Sequence, residues 1–174
     1  MLEIWDGYNE KEELLGLDLI RGEEIPKGVY HLVVEVLIRH LDGDYLLMQR
    51  DFNKDGWSGF YEASAGGSAL KGESAELAIM REAFEETGIE PRNLKLINKQ
   101  ITHPIIFYSY LSIVDCDKES VILQEGETIE YKWLNQKDFM KFMTSEECIA
   151  TQRDRLLPHL NPILNNIRKN SLAI

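Results

Sequence analysis

Residues 66–89 constrain the fold of this chain most, because a pair of glycines leads directly into a helix crowded with carboxylates. A helix turns by about 100° per residue, so Glu82, Glu85 and Glu86 are predicted to share one face. The opposite face is predicted to be an apolar stripe that packs on a core. Its members are Leu77, Met80 and Phe84.

The acidic face predicts a bound divalent cation. Like charges three or four residues apart destabilise a helix by roughly 0.2–0.5 kcal/mol per pair. The acids also lie near the C-terminal end of the helix, where the helix dipole disfavours negative charge. Mg²⁺ or Mn²⁺ would offset both costs, since these ions prefer carboxylate oxygens. A solvated acidic surface is the alternative interpretation.

The ends of this helix carry their own signals. Ser74 is a predicted N-cap, and Gly88 is a predicted left-handed C-terminal residue that is followed by Pro91. Before the helix, Gly66 and Gly67 are predicted to form a turn, using backbone angles that other residues avoid and directing a carbonyl inward.

The spacing of these positions resembles the Nudix box. Gly67 is followed after five residues by Glu73, and after seven more by Arg81 and the acidic run that ends at Ile89. Every fixed charged and glycine position of the box is met. Ala83 stands where the box has a bulkier aliphatic residue, which is a mild departure.

The resemblance implies a hydrolase that cleaves a diphosphate linked to another moiety, often a nucleoside, with Mg²⁺ or Mn²⁺. It implies Glu82 and Glu86 as the principal metal ligands and catalytic carboxylates, with Glu85 alongside. The backbone carbonyl of Gly66 is a further implied ligand. Metal ions would neutralise the diphosphate and lower the pKa of an attacking water.

Other implied roles are supportive. Gly67 and an ion pair between Glu73 and Arg81 are expected to maintain the geometry of the loop and helix. Glu127, in a loop before a strand that contains Trp133, matches a position where many Nudix chains carry an acid. Glu127 is therefore a candidate ligand or general base, with a solvated loop residue as the alternative.

Three further residues are candidates for substrate binding. Arg50 lies at a predicted strand end, where it could reach a phosphate, or form a surface salt bridge instead. Trp57 and Phe60 lie in the following polar loop and are candidates for stacking on a base or sugar. Packing in the core explains both aromatic residues equally well.

The N-terminal half also resembles type I isopentenyl diphosphate isomerase. That enzyme needs a catalytic cysteine, where this chain has Ala65, and a metal-binding histidine, where it has Gly67. His31 does match a histidine position, but without the thiol the isomerase mechanism fails. A non-catalytic module that binds a nucleotide or a protein is the other alternative, although it would tolerate loss of acids that this chain retains.

Charge limits the partners. The net charge of −11 argues against duplex nucleic acid or an anionic membrane as the main partner, and favours a small-molecule diphosphate. A homodimer stays open, because dimers are common in the family. The start of the chain resembles no signal peptide, and two cysteines without metal-type spacing favour a reducing cytoplasm.

The order of the predicted strands and helices fits an α/β/α sandwich, and the Nudix resemblance implies the same architecture, with a mixed sheet between helices. One domain over 1–174 is expected, with its core at about 28–160 and extensions at both ends. An N-terminal strand or hairpin, five further strands, a helix capped by Asn135 and a C-terminal helical segment are expected. The five strands begin near residues 29, 45, 94, 105 and 129.

Overall fold

The computed structural model describes residues 2–171, with side chains through residue 160. Nine strands and three α-helices, with a short 3-10 helix at Lys118–Ser120, follow one another along this part of the chain. The strands are β1 (Ile4–Tyr8), β2 (Leu14–Ile20), β3 (His31–His40), β4 (Tyr45–Arg50), β5 (Tyr61–Glu62), β6 (Ala65–Ser68), β7 (Lys95–Thr102), β8 (Ile105–Val114) and β9 (Thr128–Leu134). The helices are α1 (Ala75–Thr87), α2 (Gln136–Met143) and α3 (Ala150–Ser171).

The central sheet is mixed, as predicted. β3 runs parallel to β8 along its whole length and antiparallel to β6, while β7 pairs antiparallel with β8. The predicted hairpin of β3 and β4 is confirmed at its turn, where Arg39 pairs with Tyr45. Beyond this turn β4 pairs with β5 and β9 instead. β3 is therefore the strand around which the sheet is organised.

Helices cover both faces of the sheet, which confirms the α/β/α prediction. Alternation along β3 directs Val34, Val36 and Ile38 into a cluster with α1. Leu37 lies in a second cluster with α2 and α3. Since both faces are buried, the strand reads as a nearly continuous apolar run in the sequence.

The predicted orientation of α1 is wrong. The expected core stripe is largely exposed, at 58% for Leu77, 47% for Met80 and 54% for Phe84. The buried face is made by Ala75, Ala78, Ile79, Ala83, Glu86 and Thr87. Small alanines let the helix approach the sheet closely, so the buried face coincides with the acidic face.

The predicted turn at Gly66 and Gly67 is also wrong, because both residues belong to β6 and neither has a positive φ. Glycine is needed there for close approach. A Cβ on Gly66 would lie 2.5 Å from the carbonyl oxygen of Val34, and a Cβ on Gly67 would lie 2.4 Å from the carboxyl carbon of Glu82. The helix carboxylate thus occupies the volume that a side chain at position 67 would fill.

The predicted helix ends are confirmed. The Ser74 side chain accepts a hydrogen bond from the N–H of Leu77, and Gly88 adopts the left-handed conformation with φ of 71°. The Asn135 side chain likewise accepts from the N–H of Asp138 at the start of α2. Within residues 2–171, no helix is both long enough and apolar enough to cross a membrane.

The N-terminal hairpin of β1 and β2 holds the loop that leads into α1. The Lys71 N–H donates to the carbonyl of Ile4 at 2.9 Å, and the Gly72 N–H donates to the Asp6 carboxylate at 2.7 Å. Trp5 of β1 stacks on the buried His31 with ring centroids 4.3 Å apart. Burial lowers the pKa of His31 to about 4, so this residue is a neutral core histidine at neutral pH.

Replacing Asp6 with alanine should loosen the loop before α1. We expect the free energy of unfolding to fall by about 1 kcal/mol, because the Gly72 N–H loses its acceptor. Asp6→Asn retains an acceptor oxygen and should recover most of this loss. Chemical denaturation of the two variants measures the difference, and equal losses would contradict the role of this hydrogen bond.

Candidate active site

Glu86 is the most deeply buried acid of α1, with 3% of its surface exposed. Its Oε2 accepts a hydrogen bond from the Gly66 N–H at 3.2 Å. Gly66 lies opposite Glu35 in the β3–β6 ladder, and Ala69, three residues later, donates to Leu32. Hydrogen-bonded pairs alternate along such a ladder, so the backbone groups of Gly66 point away from β3 and towards the acids.

Glu82 and Glu85 are both tied to Arg81. The Nη1 of Arg81 lies 2.8 Å from Oε1 of Glu82 and 3.2 Å from Oε2 of Glu85. Glu82 faces Gly67 and is largely buried, whereas 44% of the Glu85 side chain is exposed. The acidic face is therefore partly neutralised by an arginine of the same helix, a contact that was not predicted from the sequence.

Arg81 also makes the predicted ion pair with Glu73. Its Nε and Nη2 donate to the two carboxylate oxygens of Glu73 at 2.8 and 2.9 Å, and Nη2 also donates to the Ser68 carbonyl. Glu73 in turn accepts from the Leu70 N–H at 2.8 Å. These bonds connect the end of β6, the loop and the middle of α1 in one rigid arrangement.

Glu127 lies beside Glu86 although the two residues are far apart in the sequence. The Lys54 ammonium forms an ion pair with Glu127 Oε2 and lies 3.9 Å from Glu86 Oε1. The loop of Lys54 is joined to the loop of Glu127 by a hydrogen bond from the Asp51 N–H to the Glu127 carbonyl, 2.8 Å long. Two separate loops therefore meet over the buried end of α1.

Sequence reasoning missed two residues of this site, Lys54 and Glu62. Glu62 on β5 is buried and pairs with Arg50, whose Nη1 lies 3.2 Å from its Oε1. Glu62 could have been predicted from its position, since it is a charged residue that stands next to Ala63 and shortly before the glycine pair. Lys54 had no signal, since a lysine in a polar loop is ordinarily solvated.

The buried carboxylates repel one another. Burial raises the pKa of Glu86 well above its ordinary value, and the negative charge of Glu62 raises it further. Burial likewise raises the pKa of Glu62 and that of Glu82. By contrast, the hydrogen bonds from Arg81 lower the pKa of Glu73. The site therefore concentrates unfavourable negative charge at Glu62, Glu82 and Glu86.

These residues supply suitable donors for a hard divalent cation. Carboxylate oxygens of Glu82 and Glu86 and the backbone of Gly66 are directed into one region, and added positive charge would relieve their repulsion. In the part of the chain that the structure describes, no three acidic, histidine or cysteine side chains are already arranged to hold a metal ion. Lys54 contacts Glu86 instead, and Arg81 contacts one oxygen of Glu82, so the donor set fits a metal ion once Lys54 leaves Glu86.

The three candidate substrate-binding residues lie in or directly before the loop 51–60. Arg50 is engaged with Glu62 and with two loop carbonyls, those of Asp55 and Gly56. Trp57 is 44% exposed and makes an edge contact with Phe60, with ring centroids 5.4 Å apart. Trp57 is thus accessible and Phe60 is half-buried, while the Arg50 guanidinium holds the loop in place.

Comparison with known proteins identifies the family. The model of the NUDIX domain matches residues 29–160, which is most of the chain. The chain belongs to the Nudix family. Ala83, the departure from the Nudix box, has no exposed surface and lies in the core cluster between α1 and the sheet.

Relatives support the assignment. The chain is 46% identical over 88 residues to an uncharacterized Nudix hydrolase of Listeria monocytogenes, a match that covers 51% of this chain and 52% of that protein. The match thus spans about half the length of that relative.

Solved structures share the fold. A MutT protein from Methanosarcina mazei has a TM-score of 0.56 and 31% identity, over 72% of this chain and 88% of that chain. The DR0079 protein of Deinococcus radiodurans has a TM-score of 0.67 at 21% identity, over 83% of this chain and 90% of that chain.

Proposed function

We propose that this Nudix protein hydrolyses a diphosphate linkage in a nucleoside diphosphate derivative or a related organic diphosphate, with Mg²⁺ or Mn²⁺. One observation carries the proposal. Glu86 is buried and Glu82 largely buried against the side-chain-free strand segment of Gly66 and Gly67, where burial and mutual repulsion make their negative charges unfavourable. Functional sites are where proteins retain such unfavourable groups.

Glu82 and Glu86 would hold the metal, with the Gly66 carbonyl and Glu85 as further ligands. When bound, the ion supplies positive charge to the diphosphate and lowers the pKa of a coordinated water. The chain itself orients these donors, since Arg81 and Glu73 fix the loop and helix that carry them. Gly67 contributes by leaving room for Glu82.

Glu127 is our proposed general base. Its carboxylate lies next to Glu86 across Lys54 and is more exposed than Glu86, so it can reach a water at the edge of the site. In the reaction the water oxygen would bond to one phosphorus, the bond from that phosphorus to the bridging oxygen would break, and the bridging oxygen would leave with the second phosphate while Glu127 accepts the proton of the water. Trp57 and Phe60, which contact each other in the loop after Arg50, are our candidates for stacking on the base or sugar.

The substrate class, the compartment and the domain organisation belong to the same proposal. An acidic protein of net charge −11 suits a small diphosphate better than duplex nucleic acid. Cys116 and Cys148 are both free thiols, which supports a reducing cytoplasm. We also propose that residues 1–174 act as one domain, because the hairpin outside the matched region holds the loop before α1.

The isomerase reaction is not proposed. Ala65 is buried in the cluster between the sheet and α1 and provides no thiol for protonating an alkene. Conversion of isopentenyl to dimethylallyl diphosphate above background would overturn this exclusion.

A substrate panel tests the proposal. The panel comprises ADP-ribose, NADH, nucleotide sugars, coenzyme A and nucleoside triphosphates, each with Mg²⁺ and with Mn²⁺. We expect release of phosphate or a nucleoside monophosphate from at least one compound, abolished by EDTA and by Glu86→Gln. Identical turnover by wild type and Glu86→Gln would refute the assignment of the site.

A further inference from the structure

Lys54 occupies a position that a metal-binding site ordinarily keeps free of protein cations. Its side chain is largely buried, and its ammonium contacts the carboxylates of Glu86 and Glu127. Its charge also opposes the rise in the pKa of Glu62 and of Glu86. Lys54 is thus a counter-cation for the deepest part of the acidic site.

A divalent cation on Glu86 and this ammonium compete for the same oxygens. Mg²⁺ needs ligand oxygens at about 2.0–2.1 Å in near-octahedral geometry, and two cations crowded on one carboxylate repel each other. Metal binding therefore requires Lys54 to leave Glu86. Its flexible four-carbon stem makes such a movement inexpensive.

The other cations near the site have partners outside the proposed metal ligands. Arg81 is held by both oxygens of Glu73 and by the Ser68 carbonyl. Arg50 is held by Glu62 and by loop carbonyls. By contrast, the ion pairs of Lys54 join it to Glu86 and Glu127, so its ammonium is released when those carboxylates are recruited.

We propose that Lys54 exchanges with the metal ion: it neutralises Glu86 and Glu127 before metal binds, then moves to the diphosphate of the substrate. This inference rests on the proposed function. The exchange would free the Glu127 carboxylate to accept a proton. It would also bring the Lys54 ammonium into contact with a phosphate oxygen. A diphosphate is a suitable new partner for Lys54, because it brings dense negative charge close to the ammonium that the metal ion displaces.

Binding of Mn²⁺ alone tests the first half of the exchange. Lys54→Met removes the competing ammonium, so we expect it to bind Mn²⁺ about tenfold more tightly than wild type, as measured by electron paramagnetic resonance titration without substrate. Lys54→Arg keeps the charge and should stay near wild type. Lys141→Met is the matched control, since Lys141 pairs with Asp138 on the exposed surface of α2.

Binding of methylenediphosphonate, a non-hydrolysable diphosphate, tests the second half. At saturating Mn²⁺, calorimetry should show about fivefold or greater weakening for Lys54→Met, because one charged phosphate contact is lost. Lys141→Met should bind as wild type does. Thermal unfolding of each variant establishes that it is folded before either titration is interpreted.

The outcomes separate this inference from the proposed function. If wild type hydrolyses a panel compound and binds Mn²⁺, but Lys54→Met binds Mn²⁺ no more tightly, the exchange is wrong and the hydrolase stands. Unchanged methylenediphosphonate binding in Lys54→Met would overturn the phosphate contact. If wild type neither binds Mn²⁺ nor hydrolyses any compound, both proposals are wrong.

Discussion

Replacing Glu86 with glutamine is expected to lower the rate of diphosphate hydrolysis by at least about 100-fold, while leaving the metal-free protein as stable as wild type or more stable. The loss of activity follows from removing a charged ligand at the site where negative charge is concentrated in the transition state. The gain in stability follows from removing a buried carboxylate whose pKa is raised by burial and by Glu62. Glutamine keeps an oxygen that can accept the hydrogen bond of Gly66.

The same substitution should alter the dependence of stability on pH. The unfolded chain releases the proton of residue 86 near pH 4.3, whereas the folded protein retains it to a higher pH. Between these two values the folded state binds more protons, so the free energy of unfolding of the metal-free wild type falls as the pH rises. Glu86→Gln should show a shallower fall over this range.

Activity assays with Mg²⁺ and urea denaturation in EDTA measure both effects. Glu85→Gln is the matched control, because Glu85 lies on the same helix but is 44% exposed and contacts Arg81. We expect a smaller loss of activity for Glu85→Gln. A Glu86→Gln protein that is markedly less stable in EDTA would contradict the assignment of Glu86 as an unfavourable buried charge.

Alanine substitutions at the two glycines of β6 should have different effects: Gly66→Ala should mainly reduce stability, and Gly67→Ala should mainly reduce metal binding and activity. In Gly66→Ala the new Cβ would lie 2.5 Å from the Val34 carbonyl oxygen, which belongs to a central strand and cannot move easily. We expect the free energy of unfolding to fall by about 2–3 kcal/mol. In Gly67→Ala the Cβ would meet the carboxylate of Glu82, which can swing away.

Gly67→Ala should therefore fold with a loss below about 1 kcal/mol, but lose most of its metal binding and activity because Glu82 is displaced. Calorimetric titration with Mn²⁺ and chemical denaturation of the two variants provide the comparison. If Gly67→Ala bound Mn²⁺ as wild type does, Glu82 would not be a metal ligand in this position.

Much of the local structure follows from short-range patterns. The caps at Ser74 and Gly88 and the helix start at Asn135 depend on hydrogen bonds within a few residues, so each was predicted correctly. Five strands of the sheet, β3, β4, β7, β8 and β9, were likewise predicted from β-branched and apolar runs. Box spacing sufficed to place Glu82 and Glu86 on one face of a helix.

Which face of α1 is buried was decided by tertiary packing. Hydrophobicity favoured Leu77 and Phe84 for the core, yet these residues are exposed and the alanine-rich acidic face packs on the sheet. Close packing there depends on Gly66 and Gly67 in the facing strand, whose missing side chains a helical pattern does not include. Close packing of the alanine-rich face on Gly66 and Gly67 therefore determined the orientation of α1, although Leu77 and Phe84 have larger apolar side chains.

Tertiary structure also decided which residues meet at the site. Local spacing in α1 identified the acids, because helix periodicity relates residues three and four apart. Lys54, Glu62 and Glu127 join them from β5 and two separate loops, brought together by the pairing of β4 with β5 and β9. Strand pairing is a long-range property, so the residues 66–89 specify a cation-seeking helix, and the fold determines which charges meet it.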